Sequence, residues 1–477
     1  MLFASFPYIL LFLPLVIIVC IALRRLAGPR AAQVWIVAAS IFFYAKSHPS
    51  NLIYLALSIL ANWLFARWIT KSAQPAKKRL LVLALGLNVA YLSAFKYLGF
   101  FASLFAFVLP HGFQVPTLPF PLGISFFTIT QIMYLIDCYE ETLSAGSLLD
   151  HASFVTFFPY LISGPLGRAK RMRHQFGNFG GQEGARANLM ARGVYLFSIG
   201  LFKKAVLANS FAQVVDFGNT TATNMSSLES WIFSIAYALD VYFDFSGYSD
   251  MAIGSALMLG IEIPRNFDRP FSSKSIIEFW QRWHISLTQF ITAYLYTPIL
   301  RAFKKRTLFT AAIATFLAMG IAGLWHGAAW TFVIYGFLHG TYLGVNQYWR
   351  KKNMPRIPAF PSWLLTFVCV VISLIYFGAS SVPEANARVI ALFNPHDAFA
   401  THNILDYALL VDGVGIRVIG LPLLASGLIA FFGPASEEMG RDFKPTTWNC
   451  IYAVGITLVA FIMINSIITT PFVYFRF

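Results

Sequence analysis

The chain has 477 residues, of which 58% are hydrophobic, 17% aromatic and only 12% charged. That balance excludes an ordinary water-soluble domain and fits a polytopic membrane protein. Lys+Arg of 35 against Asp+Glu of 20 leaves a net charge of +15, but in a membrane chain short basic loops report topology first, so nucleic acid is not an expected partner.

The first apolar segment, Phe6–Ile21, begins without a basic n-region and is followed by arginines with no small-residue cleavage site. It reads as a retained helix and not as a removed signal peptide. Further apolar cores are Gln33–Tyr44, Ile53–Ile69, Leu80–Phe95, Val194–Leu207, Trp231–Met258, Ala311–Leu324, Trp363–Phe377, Leu421–Phe432 and Tyr452–Ile464. With their flanks they approach the roughly 20 residues that cross about 30 Å of hydrocarbon, and the expected total is about ten to twelve spans. No soluble domain, linker or repeat interrupts them, so the simplest organisation is one membrane domain over 1–477.

Between these cores, Arg24–Arg30, Lys71–Arg79, Gly167–Gln175, Arg301–Arg306 and Arg350–Arg356 are short basic loops, whereas Lys46–Asn51 and the long Glu384–Gly413 stretch are not enriched. The positive-inside rule places the first group in the cytoplasm, and with it the N-terminus and the Glu384–Gly413 loop on the extracytoplasmic side. Cys20, Cys138, Cys369 and Cys450 are scattered singly, which indicates neither a disulfide framework nor a thiolate metal site.

Two stretches resist a simple spanning helix. Leu118–Glu141 opens on prolines and ends in acids, and Phe154–Arg168 is interrupted by Pro159, Gly164 and Pro165. Non-helical backbone survives at membrane depth only where protein or a water-filled cavity satisfies it, so re-entrant or half-length elements lining an internal chamber are expected there. The run "FWQRWHISLTQFITAYLYTPIL" from Phe279 sets Arg282 and His284 among aromatics, the pattern of an amphipathic helix near the interface that begins at the cytoplasmic surface and dips inward.

Ionisable residues inside a membrane are functional hypotheses by default. His326 sits in "GIAGLWHGAAW" between Gly323 and Gly327; a partly desolvated imidazole there is held neutral and can take a proton from a hydroxyl, or it is a histidine hydrogen-bonded between packed helices. His339 follows 13 residues later, about 220° around a single straight helix, so the two would not share a site unless Gly336 breaks the helix. Glu278 and Arg282 are spaced for an i,i+4 ion pair. His284, after Trp283, is a second functional imidazole or one that snorkels to the polar boundary. "ALDVYFDFSGYSDMAIG" places Asp240 and Asp244 on one face, with Ser246, Ser249 and Asp250 around Gly247; these groups could bind a cation, carry protons or orient a histidine, or they could satisfy the backbone where Gly247 breaks the helix. A G-x-S-x-G elbow, H-E-x-x-H, a P-loop and G-x-G-x-x-G are all missing, which removes support for a serine hydrolase, a zinc peptidase and a nucleotide-driven pump.

Five pieces in this order, "PLGISFFTITQIMYLIDCY" (Pro121–Tyr139), "FFPYLISGPLGR" (Phe157–Arg168), "YFDFSGYSDMAIG" (Tyr242–Gly254), "NFDRPFSSKSIIEFWQRWHISLT" (Asn266–Thr288) and "GLWHGAAWTFVIYGFLHG" (Gly323–Gly340), closely resemble the membrane-bound O-acyltransferase family. The nearest branch is similar to the bacterial one that contains the alginate O-acetyltransferase membrane subunit. The resemblance covers roughly 80–349. It implies an all-α fold, a ring of tilted helices around a central tunnel that joins a cytoplasmic donor side to an exported acceptor side. It also implies that His326, in the Trp-His-Gly motif, is the essential histidine, and that His284 forms a second polar site, with Trp325, Arg282, Trp283, Asp244 and Ser246 as substrate-binding or tunnel candidates.

On that resemblance the expected function is an inner-membrane O-acyltransferase, an O-acetyltransferase foremost. It would move an acyl group from a cytoplasmic thioester, acetyl-CoA or another, to an exopolysaccharide, a cell-wall glycan or an exported acyl-transferring partner protein. No bound cofactor and no metal are expected. The resemblance departs at Thr292 and Ala293, where alginate-type members carry an Arg-Asp pair, and after Pro298, which Ile299-Leu300 follows in place of a Pro-Leu-Gly-Gly turn; this leaves the acceptor open. A transporter or channel using Asp240 and Asp244 is the competing class; it is disfavoured because the interruptions lack the paired symmetry of inverted repeats. A non-catalytic scaffold of an export complex is a third.

Overall fold

The computed structural model describes residues 1–46, 49–105, 116, 118–178, 183–220, 225–395 and 415–466. Helices form throughout, and there is no strand among the described residues. Among the described residues, seven helical stretches are long and apolar enough to cross a bilayer: Pro7–Ala27, Asn51–Lys71, Ala76–Leu104, Gly184–Asp216, Leu308–His326, Ala359–Gly378 and Thr447–Asn465. Seven of the ten sequence-derived cores fall on these. The other three lie on a 17-residue helix, Pro29–Ala45, on the 32-residue Ser227–Met258, which carries three aspartates, and on the 18-residue Gly415–Phe432. Bilayer-facing surface is evident in exposed Leu10, Leu11, Ile18, Phe309 and Ile462, which hydrocarbon solvates and water would not.

The chain divides into two compact units, Met1–Phe197 with Met251–Arg265, and Ser198–Asp250 with Asn266–Phe477. In the first, α1 (Pro7–Ala27) packs along α2 (Pro29–Ala45), and α3 (Asn51–Lys71) and α4 (Ala76–Leu104) both pack on α5 (Ile124–Tyr139). α5 has only 16 residues and is buried along most of its length, the half-length element that the flanking prolines lead one to expect.

α6 (Leu148–Thr156) starts at a capping box in which Ser147 and Asp150 satisfy each other's backbone amides. Asp150 also accepts from Arg30 at 2.7 Å and Gln33 at 3.2 Å on α2. Burial alone would raise its pKa, but the hydrogen bonds from Ser147, Arg30 and Gln33 hold it down at about 2. After α6 the chain leaves the helix, yet residues 157–166 are all buried. Their amides are satisfied locally, Tyr160 N to Phe157 O and Gly164 N to Tyr160 O at 3.1 Å each, and across to α2, where Ser40 Oγ accepts from Phe158 N at 3.1 Å. α7 (Ala169–Asn178) follows.

α8 (Glu183–Phe202) passes through a π-helical turn, Lys203–Ala208, into α9 (Asn209–Thr220), and α10 is Ser227–Met258. The long polar-aromatic run expected as one amphipathic helix is instead several pieces: α11 (Ile276–Arg282), a reversal at Trp283 and His284, α12 (Ile285–Phe290), a π-helical turn and α13 (Thr297–Ala302). His284 sits at φ 42°, ψ 53°, the left-handed region that side chains with a Cβ rarely occupy. α14 (Leu308–His326) begins at a Thr307–Thr310 capping box and stops at His326; after a three-residue non-helical link, extended at Gly327 and Ala329, the chain returns as α15 (Trp330–Lys351). α16 (Ala359–Gly378) packs on α15 and on α17 (Val382–Leu392). α18 (Gly415–Phe432), α19 (Ser436–Arg441) and α20 (Thr447–Ser466) complete the unit. Residues 396–413 of the expected extracytoplasmic loop, Asp397 included, lie outside the described residues.

The α14–α15 hairpin closes through glycine. A Cβ on Gly323 would stand 2.9 Å from Gly336 Cα, and one on Gly336 would stand 3.1 Å from Gly320 Cα and closer still to the Met319 carbonyl. Backbone meets backbone there, so added atoms push the helices apart. Gly336→Ala is expected to destabilise the protein by about 1–3 kcal/mol, whereas Gly86→Ala, with nothing within 4 Å of its Cβ, should be neutral. Thermal unfolding of both variants in detergent, followed by fluorescence-detected size exclusion, checks the contrast.

Candidate functional site

His326 is the last residue of α14, in ring contact with its neighbour Trp325 at 5.0 Å, with Tyr335 of α15 at 5.9 Å and with Phe377 of α16 at 5.3 Å. Because the helix ends at His326 and turns back, the straight-helix geometry that separated it from His339 does not apply. The break falls at Gly327–Ala329 and not at Gly336. Tyr335 touches both imidazoles, lying 4.7 Å from His339.

His284 is fully buried, 0% exposed, so it does not snorkel to a polar boundary. The reversal at Trp283 separates it from its neighbour in sequence. Arg282 stays part-exposed and binds Glu278 at 2.7 Å and Ser272 Oγ at 2.9 Å, the expected i,i+4 pair. The His284 ring stands edge-on to Phe245 at 4.7 Å and reaches Trp325 at 6.5 Å. Its Nδ1 is 3.1 Å from Asn266 Oδ1, and its Nε2 is buried without a hydrogen-bond partner among the described residues.

Trp325 thus touches both histidines of the two sequence motifs. The ring contacts continue from His326 through Tyr335 to His339, then through Phe279, which stacks on His339 at 6.1 Å and on Trp283 at 5.5 Å. Trp280 Nε1 donates to His339 Nδ1 at 3.2 Å, so His339 has a structural partner that fixes its ring. Trp283 is itself buried against Phe267 at 5.1 Å. All three imidazoles therefore lie along one continuous aromatic lining within the second unit.

The acidic face of α10 is arranged otherwise than the sequence suggests. Gly247 does not break the helix, which runs unbroken from Ser227 to Met258. It allows close approach instead, since a Cβ there would stand 2.8 Å from Gly200 O and 3.0 Å from Lys203 Cβ. Lys204 pairs with Asp244 at 2.7 Å, and Lys203 with Asp250 at 2.8 Å. Lys203 Nζ also reaches Ser436 Oγ at 2.6 Å and Ser246 Oγ at 3.4 Å. Asp244 and Asp250 thus have ammonium partners supplied by the chain, and no three His, Cys, Asp or Glu side chains converge on a metal-binding geometry among the described residues. Sequence reasoning passed over both lysines by counting Val194–Leu207 as an apolar core; two adjacent cations inside such a run were the available signal.

A family model described as "MBOAT, membrane-bound O-acyltransferase family" matches residues 35–381. The chain is 32% identical to the peptidoglycan O-acetyltransferase of Helicobacter pylori, over 100% of this chain and 98% of that protein. It is 34% identical to the probable alginate O-acetylase AlgI of Pseudomonas aeruginosa, over 91% of this chain and 81% of that one. The teichoic acid D-alanyltransferase of Streptococcus thermophilus matches 49% of this chain at 30% identity, over 58% of its own length.

Breaking one of the buried pairs strands a charge. Lys204→Met is expected to destabilise the fold by about 3–5 kcal/mol, and adding Asp244→Leu should restore much of that loss. Comparison of the melting temperatures of the single and double variants in detergent measures both steps.

Proposed function

The chain belongs to the membrane-bound O-acyltransferase family and is a multi-pass membrane O-acyltransferase; from that premise we propose that it takes an acetyl group from acetyl-CoA at the cytoplasmic face of a bacterial inner membrane and delivers it to a hydroxyl of an extracytoplasmic glycan. The relatives support this acceptor class, since their names specify peptidoglycan and alginate. An exported partner protein that relays the acyl group is the second form of acceptor.

His326 is the general base in this reading. It removes the proton of the acceptor hydroxyl as the oxygen attacks the thioester carbonyl; the tetrahedral intermediate then expels the thiolate of the donor, and the C–O bond replaces the C–S bond. A thioester carries the driving force itself, in keeping with a chain that has no nucleotide-hydrolysis motif. The observation that carries the proposal is the meeting of two buried imidazoles, His326 and His284, on one tryptophan, Trp325. Burial withholds bulk water that would otherwise compete with the acceptor hydroxyl for the thioester carbonyl, and strengthens any hydrogen bond aimed at the developing oxyanion. His284 supports the site from the donor side, and Trp283, Arg282, Asp244 and Ser246 shape or brace its surroundings.

Purified protein supplied with radiolabelled acetyl-CoA and a glycan acceptor should transfer label to the glycan; no transfer to any glycan or exported protein acceptor would remove the proposal. His326→Ala should reduce the rate by about 10²–10⁴-fold, His284→Ala should also impair it, and His339→Ala should act more mildly, provided all three reach the membrane at normal levels. Near-normal transfer by the His326 variant together with loss in the His339 variant would reverse the assignment.

Topology is checked separately. Cysteines at Lys78 and Asp397 in intact cells should be respectively protected from and reactive toward an impermeant thiol reagent, with the N-terminus on the same side as Asp397.

A further inference from the structure

Asn266 lies at the centre of a small polar bracket in an otherwise aromatic wall. Its main-chain carbonyl accepts from Ile285 N at 2.9 Å. Its Oδ1 accepts from Ser286 N at 3.3 Å and Ser286 Oγ at 2.9 Å, and faces His284 Nδ1 at 3.1 Å; its Nδ2 donates to Ser249 Oγ of α10 at 3.2 Å. A backbone N–H can only donate, so the Ser286 amide defines which end of the Asn266 side chain is oxygen. The ring nitrogen opposite that oxygen must then carry the proton, and a neutral imidazole has only one.

The consequence falls on Nε2. With the proton on Nδ1, Nε2 presents a lone pair, and this atom is the one left buried and unpartnered among the described residues. Leaving a buried acceptor unsatisfied is unfavourable, and the left-handed backbone at His284 is a sparsely populated conformation as well. Both penalties are borne at one residue. The unsatisfied acceptor is accounted for if its lone pair is filled when substrate binds.

We propose that Asn266 is a positioning residue that locks His284 as its Nδ1–H tautomer, so that His284 Nε2 serves as a hydrogen-bond acceptor for an N–H or O–H of a bound substrate. This rests on the acyltransfer reading of the same site. It gives His284 a role distinct from that of His326, because the atom offered and the residue that fixes it are both specified. On neighbouring elements Asp244 pairs with Lys204, Asp250 with Lys203 and Glu278 with Arg282; Asp268 faces Arg269 at 3.6 Å, and Asp240 of α10 is buried one helical turn before Asp244. His326 lies beyond Trp325, and Asn266, Phe245 and Trp325, which touch His284, carry no charge.

The test uses the full chain in nanodiscs and three variants. Nitrogen-15 NMR of histidine-labelled protein without substrate, with the His284 signal assigned by its loss in His284→Gln, reads the tautomer directly. Wild type should show Nδ1–H and Asn266→Ala a mixture. In acetyl transfer, Asn266→Ala should lower kcat by about tenfold or more with little change in KM. Asn266→Asp keeps an acceptor opposite Nδ1 and should retain most of kcat, but its carboxylate favours the imidazolium and should move the acidic limb of the pH–rate profile upward by about one unit. A merely structural asparagine would not move that limb. Wild-type His284 protonated on Nε2, or an Asn266→Ala protein with unchanged tautomer and kcat, overturns the proposal. Absence of acetyl transfer in wild type would instead sink the functional reading, while the tautomer measurement still decides the role of Asn266.

Discussion

A polar group that leaves water inside this chain must find its partner in the chain, and much of the architecture follows from that constraint. The carboxylates of Asp244 and Asp250 on α10 are met by Lys204 and Lys203 at the π-helical turn that ends α8. The helix-free stretch over residues 157–166 is tolerated because its amides close on their own carbonyls and on Ser40. Asn266 gathers donors from Ser286 and sets its own amide against Ser249. Each arrangement brings distant parts of the sequence together, and each would be unnecessary in a solvated protein.

Against this background the histidines are unequal. His339 is tied by Trp280, and its ring is stacked on Phe279. His284 is tied at one nitrogen and open at the other. His326 stands at a helix end, where the chain changes direction and three aromatic rings surround it. The same residue type thus serves as a fixed strut in one place and as available chemistry in another, and the difference lies in what surrounds each nitrogen.

Hydropathy made the helical, membrane-spanning character legible, because length and apolarity suffice to define a span. The prolines near Leu118 and at Pro159 and Pro165 likewise announced short or broken elements. The positions of the histidines were less legible. Arg282 two residues before His284 reads as a polar boundary, but the left-handed turn at His284 sends the two side chains to different surroundings, one part-exposed and one sealed. A helical wheel drawn from His326 to His339 fails because three non-helical residues intervene. The pairing of α10 with two lysines was hidden for a different reason: spacing along one helix reveals a face, but not what the fold brings against it.

The shortness of α5 bears on how the protein is made. At 16 residues it falls below the roughly 20 that insert readily as an independent span, and its burial against α3 and α4 leaves it little surface of its own to offer lipid. Its entry into the bilayer therefore depends on those two helices having left the translocon first and remaining nearby to receive it. Membrane insertion of the first unit is in this sense a templated event, ordered by synthesis, in which earlier segments supply the solvent for a later one.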